Sequence, residues 1–350
     1  MPVQNKVDKI IQALTDQYSN EMAKAFFDAI SSINDNVVLA NIVDAIKRQD
    51  FQRVVQLLSI ESLAFRQMEN KMYAAFEDAG SRVAASVPHI VPDLFGVQAP
   101  FRFDARSTAA ETWLRENSSQ LVTRITDDAR DAVQASLQAS MINGTNPRTA
   151  ALDIVGRINP ATGRRVGGVI GLNRPQEQYL RSARLELSST DPALLENYLT
   201  RTLRDKRLDS YVLKAIKTGQ PIPADIQEKM ATRYGDSLLR YRGETVARHE
   251  MIETLNRAQW EAYNQGVRAG KVKESAVLKE WDSAGDNHVR YSHRKLDGTR
   301  VGLNEPFISP YSQAPMMFPG DSSMGATAGD VVGCRCRVKY VVDFFAGLEE

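Results

Sequence analysis

The chain has 350 residues, 44 basic and 43 acidic, so its formal net charge is +1, and it has only two cysteines. Near-neutrality excludes a protein that binds nucleic acid over its whole surface, because such affinity is carried by excess lysine and arginine. With 43% hydrophobic and 25% charged residues the composition is that of an ordinary globular chain, long enough to build its core without a disulfide scaffold.

The N-terminal third reads as helices. Val7, Ile10, Ile11, Leu14, Tyr18, Met22, Phe26, Ile30 and Ile33 recur at helical spacing, with charge on the opposite face. A second helix is expected over about 37–47, a short third over 51–58 and a longer one over 61–85, stopping before Pro88. Met1 to Lys9 is polar, without the apolar core of a leader peptide. The most apolar stretch, 37–46, is interrupted by Asn41 and Asp44 and is too short to span a bilayer. No membrane segment is expected, and synthesis in a cytoplasm is.

Residues 88–106 read as a loop containing His89, Pro92, Gly96 and Pro100. A helix is expected from Thr108 to Met141, stopped by Asn143-Gly144, and another from Arg148 to Arg157 after Asn146-Pro147. The run 159–172 holds four glycines, two adjacent arginines and β-branched residues, which predicts a short hairpin or glycine-rich loop at about 157–174. Its spacing fits neither a Walker loop nor GxGxxG. Arg157, Arg164, Arg165, Arg174 and Arg181, with Arg184 beyond them, make this the one locally basic stretch and the place where DNA phosphates would be met. A solvated hairpin is the simpler alternative.

Further helices are expected over 174–187, 192–203 and 206–218, and a long one over 235–267. On that last helix Arg248, Ile252, Asn256, Gln259 and Tyr263 share a face, whereas Glu250 lies about 200° round from Arg248 at 100° per residue. These two therefore cannot act as a catalytic pair. After Gly270 the pattern becomes that of strands, at 276–282 and 335–342, enclosing a loop-rich stretch. The fold class expected is mainly α: helical N-terminal (1–92) and middle (93–234) regions, with the hairpin in the latter, and a C-terminal domain (235–350) of one long helix and a small α+β unit.

No residue nominates itself as a nucleophile or general base. No serine lies in a GxSxG elbow, and Asp282, Asp286, Asp297, Asp321 and Asp330 are the kind of loop aspartates that usually cap turns. Of the four histidines, His288 and His293 precede Cys334-Arg335-Cys336. Alternate residues of a strand face one way, and a bridge between the two thiols is disfavoured by the β-carbon separation of extended chain. Three readings stay open: two buried free thiols, a structural zinc site, or a redox pair.

The C-terminal run resembles the phage head morphogenesis family, the minor head proteins related to protein F of phage Mu. The pieces that carry the resemblance are Ala247-Arg248-His249-Glu250 with Asn256, then Trp281, Asp286 to His293 with Arg290 inside it, Leu296-Asp297-Gly298, Pro319-Gly320-Asp321 and Gly333-Cys334-Arg335-Cys336. Phe103-Asp104, Asn143 to Pro147 and Gly167 to Leu172 are similar to earlier family segments. His249 stands where the family usually has threonine, and Gly333 where it has asparagine. The resemblance supports His293, Cys334 and Cys336 as metal ligands and leaves a fourth to His288 or Asp297. It implies a virion component near the portal vertex that aids head assembly, with the portal or major capsid protein and packaged DNA as partners. A non-enzymatic role is expected. The alternative is a metal-dependent C-terminal nuclease or other effector delivered with the genome.

Overall fold

In the computed structural model, which describes residues 3–86 and 101–343, the chain is mainly α-helical, as its periodicity predicts. Helix α1 (Val3–Asp35) is followed by α2 (Leu39–Lys47), α3 (Phe51–Leu57) and α4 (Arg66–Ala84), the last entered through a 3-10 turn at Ser62–Phe65. Then come α5 (Thr108–Ile142), α6 (Pro147–Val155), the hairpin strands β1 (Arg157–Ile158) and β2 (Arg165–Val166), α7 (Arg174–Ser188), α8 (Pro192–Leu199) and α9 (Asp209–Thr218). The chain continues into α10 (Ala224–Arg268), β3 (Val277–Asp282), α11 (Tyr291–Leu296), β4 (Arg300–Gly302), β5 (Phe307–Ile308), β6 (Pro315–Met316), α12 (Ala328–Val331) and β7 (Arg337–Val342). His89 and its neighbours lie outside the described residues.

Two compact units are assembled from non-contiguous segments. One takes Met1–Lys24, Gln67–Ser118 and Glu244–Glu350; the other takes Ala25–Arg66 and Ser119–Gly243.

The second unit is all helix apart from the hairpin. Its core takes Phe26, Ile30 and Ile33 from α1, Ile42 from α2, Ile125 and Val133 from α5, Leu180 and Leu187 from α7, and Leu238 from α10, all buried. Helix ends follow local rules. Asn146 caps α6 by accepting from the Arg148 N–H, with Pro147 in the first turn. Asn173 and Gln176 form a capping box at α7.

The glycine-rich run is a hairpin, with Arg157 opposite Val166 and Ile158 opposite Arg165. Its glycines serve packing. Gly171 has φ of +89°, and a Cβ there would lie 2.8 Å from Ile30 and Leu239 methyls, so only glycine lets the loop approach α1 and α10. Helix α10 begins at Ala224 rather than at Gly235. Gly235 is a helix-interior contact, where a Cβ would meet Leu180 at 3.2 Å, not a start signal.

The first unit holds the small sheets. β3 is central, paired antiparallel with β4 and β7 in the order β4-β3-β7. A separate two-stranded pair joins β5 and β6. Burial along β3 alternates, with Val277, Lys279 and Trp281 inward, as a half-buried strand requires. Tyr340 of β7 stacks on Tyr263 of α10 at 4.3 Å between ring centroids, and Phe76 of α4 packs on Phe103 and Trp113. Cys334 and Cys336 lie on the irregular lead into β7, not on the strand itself, which starts at Arg337.

Candidate metal centre and the motif framework around it

Trp281, fully buried on β3, sets the floor of the site. Its ring meets His293 edge-on at 5.2 Å and Phe307 at 5.3 Å. Beyond β3 a loop leads to α11, a helix of under two turns that carries His293 inward, 1% exposed, and Leu296 beside it. The Leu296-Asp297-Gly298 turn then reverses the chain. Asp297 accepts from the Ser283 N–H at 2.8 Å, and Gly298, at φ of +74°, donates its N–H to the Trp281 carbonyl at 2.9 Å.

The two cysteines approach His293 from the other side. Their sulfurs lie 3.5 Å (Cys334) and 3.4 Å (Cys336) from His293 Nδ1, and the Cys336 N–H is 3.4 Å from the Cys334 sulfur. Both thiols are free and buried, so they face one way although no strand holds them. The three ligand atoms lie within 4.8 Å of one another. His293 Nε2 is buried and has no hydrogen-bond partner. The hydrogen bond between the thiols, with burial adding to it, pushes Cys334 well above the ordinary thiol range. The same bond pulls Cys336 down against the effect of burial, with His293 and Trp281 assisting.

The motif residues around this cluster hold loops together. Asp286 accepts from the His288 N–H and from the Arg335 guanidinium. Arg290 donates to the carbonyls of Asp330 and Val332. These contacts join the loop before His293 to the loop before the cysteines. Asp330 accepts from the Thr327 N–H and hydroxyl and from Ser309 Oγ.

On α10, buried Asn256 donates to the Pro319 carbonyl at 2.8 Å. Gly320 follows with φ of +92°, where its backbone passes over Ile252 and Glu253. Asp321 accepts from the Met317 N–H at 2.7 Å and from the N–H and hydroxyl of Ser323. Asp286, Asp297, Asp321 and Asp330 thus do cap turns, whereas Asp282 ends β3 and pairs with Arg337 and Lys339 of β7. Arg248 is half exposed, 3.8 Å from Asp16, whereas Glu250 and His249 are buried, in keeping with their separation round the helix. The Phe103-Asp104 segment is held the same way: Gln265 exchanges hydrogen bonds with the N–H and carbonyl of Asp104.

His288 and Asp297 are exposed, and among the described residues neither joins the His293 cluster. Lys279, which no motif marks, belongs to the same framework. Its ammonium is buried, donates to the Met317 carbonyl at 2.7 Å and lies 5.4 Å from the Phe307 ring. Burial pushes it down to about 8, opposed by Asp321 and Glu305. The only signal for it was a lysine at an inward register position between Val277 and Trp281.

The arginines of the hairpin region sit in the helical unit and are largely engaged. Arg157 pairs with Asp153 and Glu228, and Arg181 with Glu177. Arg165 donates to the Gly156 carbonyl, while the Asp236 carboxylate accepts from the Gly167 N–H, the kind of amide a phosphate loop would present. Arg157, Arg181 and Arg184 line a cleft of about 420 Å³ together with Asp153, Glu177 and Glu228, so its charges balance. Arg164 and Arg174 are exposed.

The segment bearing this framework matches a known family. Residues 206–339 fit the family described as Phage Mu protein F like protein, which is what this segment is similar to. Two curated proteins are similar. The minor head protein GP7 of Bacillus phage SPP1 is 34% identical over 100 residues, covering 26% of this chain and 31% of that protein. The uncharacterized protein YqbB of Bacillus subtilis (strain 168) is 34% identical over 106 residues, covering 30% of this chain and 32% of that protein. The matched segment thus spans about a third of each relative's length. No solved structure matches the chain. No helix among the described residues is long and apolar enough to cross a membrane.

Proposed function

We propose that the chain is a non-enzymatic minor head protein of a phage virion, acting in head morphogenesis at the portal or capsid interior. The observation that carries this reading is the use made of the family's motif residues. Asp286, Arg290, Asn256, Asp297, Gly320 and Asp321 are each spent on closing loops of the C-terminal unit, which is how a docking module is built rather than a catalytic cleft. The name of the SPP1 relative supports the same role. The N-terminal helices are the proposed docking part, and the portal protein or the major capsid protein the partner. Contact with packaged DNA, if the hairpin region makes it, falls to Arg164 and Arg174, since Arg157, Arg165 and Arg181 are already engaged.

Co-expression with a phage portal protein tests this reading. A complex that survives size-exclusion chromatography, and is lost when residues 1–90 are removed, is the expected result. Absence of any complex with portal or capsid protein, together with cleavage of plasmid DNA or RNA in the presence of divalent metal, would support the effector enzyme instead.

A further inference from the structure

We propose that His293, Cys334 and Cys336 bind one zinc ion, through Nδ1 and the two sulfurs, and that this ion fastens α11 to the lead of β7. The inference stands on the geometry of the cluster and is independent of the functional reading. Three donors from two separate loops converge so that all three atoms lie within 4.8 Å, and all three side chains are buried.

The donor set selects the ion. It contains no oxygen, which excludes calcium and magnesium as natural occupants. Two thiolates and an imidazole are the ligands of tetrahedral zinc. Charge also balances: two thiolates neutralise a divalent cation, and the neutral imidazole adds none, so the filled site carries no net charge into the core. Each thiol releases its proton to solvent on binding, and no redox step is involved.

The alternatives explain less. Plain apolar packing would not place a buried imidazole with its Nδ1 against two sulfurs. His288 and Asp297 stand apart, so among the described residues the cluster supplies three ligands and leaves a fourth tetrahedral position for water.

The setting gives the ion a task. β4, β5 and β6 are two or three residues long, and α11 spans six. Elements this short hold no structure alone. The Asp286–Arg335 and Arg290 contacts that bring the loops together are surface contacts that solvent weakens. A metal link between residues 293 and 336 would close the same loops from inside.

The full chain, purified under reducing conditions without chelator, is assayed for metal by mass spectrometry, and the chelator-stripped protein is titrated with Co²⁺. The expected result is about one zinc per chain, and thiolate-to-cobalt charge-transfer absorption that saturates at one equivalent and is displaced by zinc. Both thiols should resist a thiol reagent until chelator is added. C334S/C336S should lose metal and absorption; because that variant can fail to fold, His293→Gln, which keeps both thiols, is measured beside it and should weaken zinc at least about tenfold. Less than about a tenth of an equivalent of zinc with no cobalt absorption in the wild-type chain would overturn the proposal. So would recovery of the pair as a Cys334–Cys336 disulfide indifferent to metal.

Discussion

The two units solve the burial of polar groups in different ways. In the helical unit, buried charges meet opposite charges. Arg201 pairs with Glu186, Arg204 with Asp209 and Arg242 with Asp128, and Arg242, pushed down to about 10 by burial, also donates to the Gly171 carbonyl. In the unit with the small sheets one buried carboxylate, Glu261, also meets an arginine, but several buried polar side chains meet the backbone of loops: Asn256 at Pro319, Lys279 and Asp321 at the two ends of the Met317 residue, Gln265 at Asp104. Helices satisfy their own backbone and need side chains only for each other. Irregular loops do not, so a loop-rich unit needs one particular side chain at each orphan group. That difference accounts for why the C-terminal motif pieces, which fall in the second kind of unit, look like scattered single residues.

Substitutions can break this comparison, and the largest effect belongs to the helical unit. Arg201→Met strands the buried Glu186 carboxylate and is expected to cost about 3–5 kcal/mol in urea denaturation, with most of it recovered in Arg201→Met/Glu186→Met. A single variant as stable as wild type would remove the charge-with-charge half of the contrast. Next, Gly320→Ala is expected to cost about 1–3 kcal/mol. An added Cβ would meet the Glu253 nitrogen at 3.5 Å, an ordinary contact, so the loss comes from a left-handed backbone, and Asn at the same position should lose less.

A smaller effect, with a sign that discriminates, is expected at Lys279. Its folded value, about 8, lies below the ordinary lysine value, so between about pH 8 and pH 10 the unfolded chain holds more protons at this group than the folded one. Wild-type stability should therefore rise with pH over that window relative to Lys279→Met, measured by denaturant melts at about pH 7 and about pH 9, one unit either side of the folded value. A flat difference would mean that the ammonium is solvated. The smallest effect is at Asp286→Asn. It weakens a loop-closing pair with Arg335 that is partly exposed and should lower the unfolding midpoint less than loss of any of the buried loop contacts.

How much could be read beforehand follows the same division. The stripe from Val7 to Ile33 predicts α1, and Asn146-Pro147 predicts the start of α6, because helix periodicity and caps are local. Alternation predicts β3 and β7 to within two residues. The failures are tertiary. Gly235 looks like a boundary but is where α7 comes close to α10. Cys334 and Cys336 look like strand residues, but their segment turns to His293 before β7 begins. Lys279 is inward because Met317 supplies an acceptor 38 positions away. The motif arginines of the hairpin look available for phosphates until Asp153, Glu177 and Glu228 are found beside them. The spacing of the family pieces marked where side chains matter, while only the fold shows that they are spent on loops.

The central claim is that the family's motif residues build the C-terminal unit instead of forming a reactive site. Hydrogen exchange at the Met317 amide in the full chain and in Asn256→Ala tests it most directly. Loss of the bond to Pro319 should release the 315–321 loop and speed that exchange at least about tenfold, the equivalent of roughly 1.4 kcal/mol. Unchanged exchange in Asn256→Ala would contradict the account.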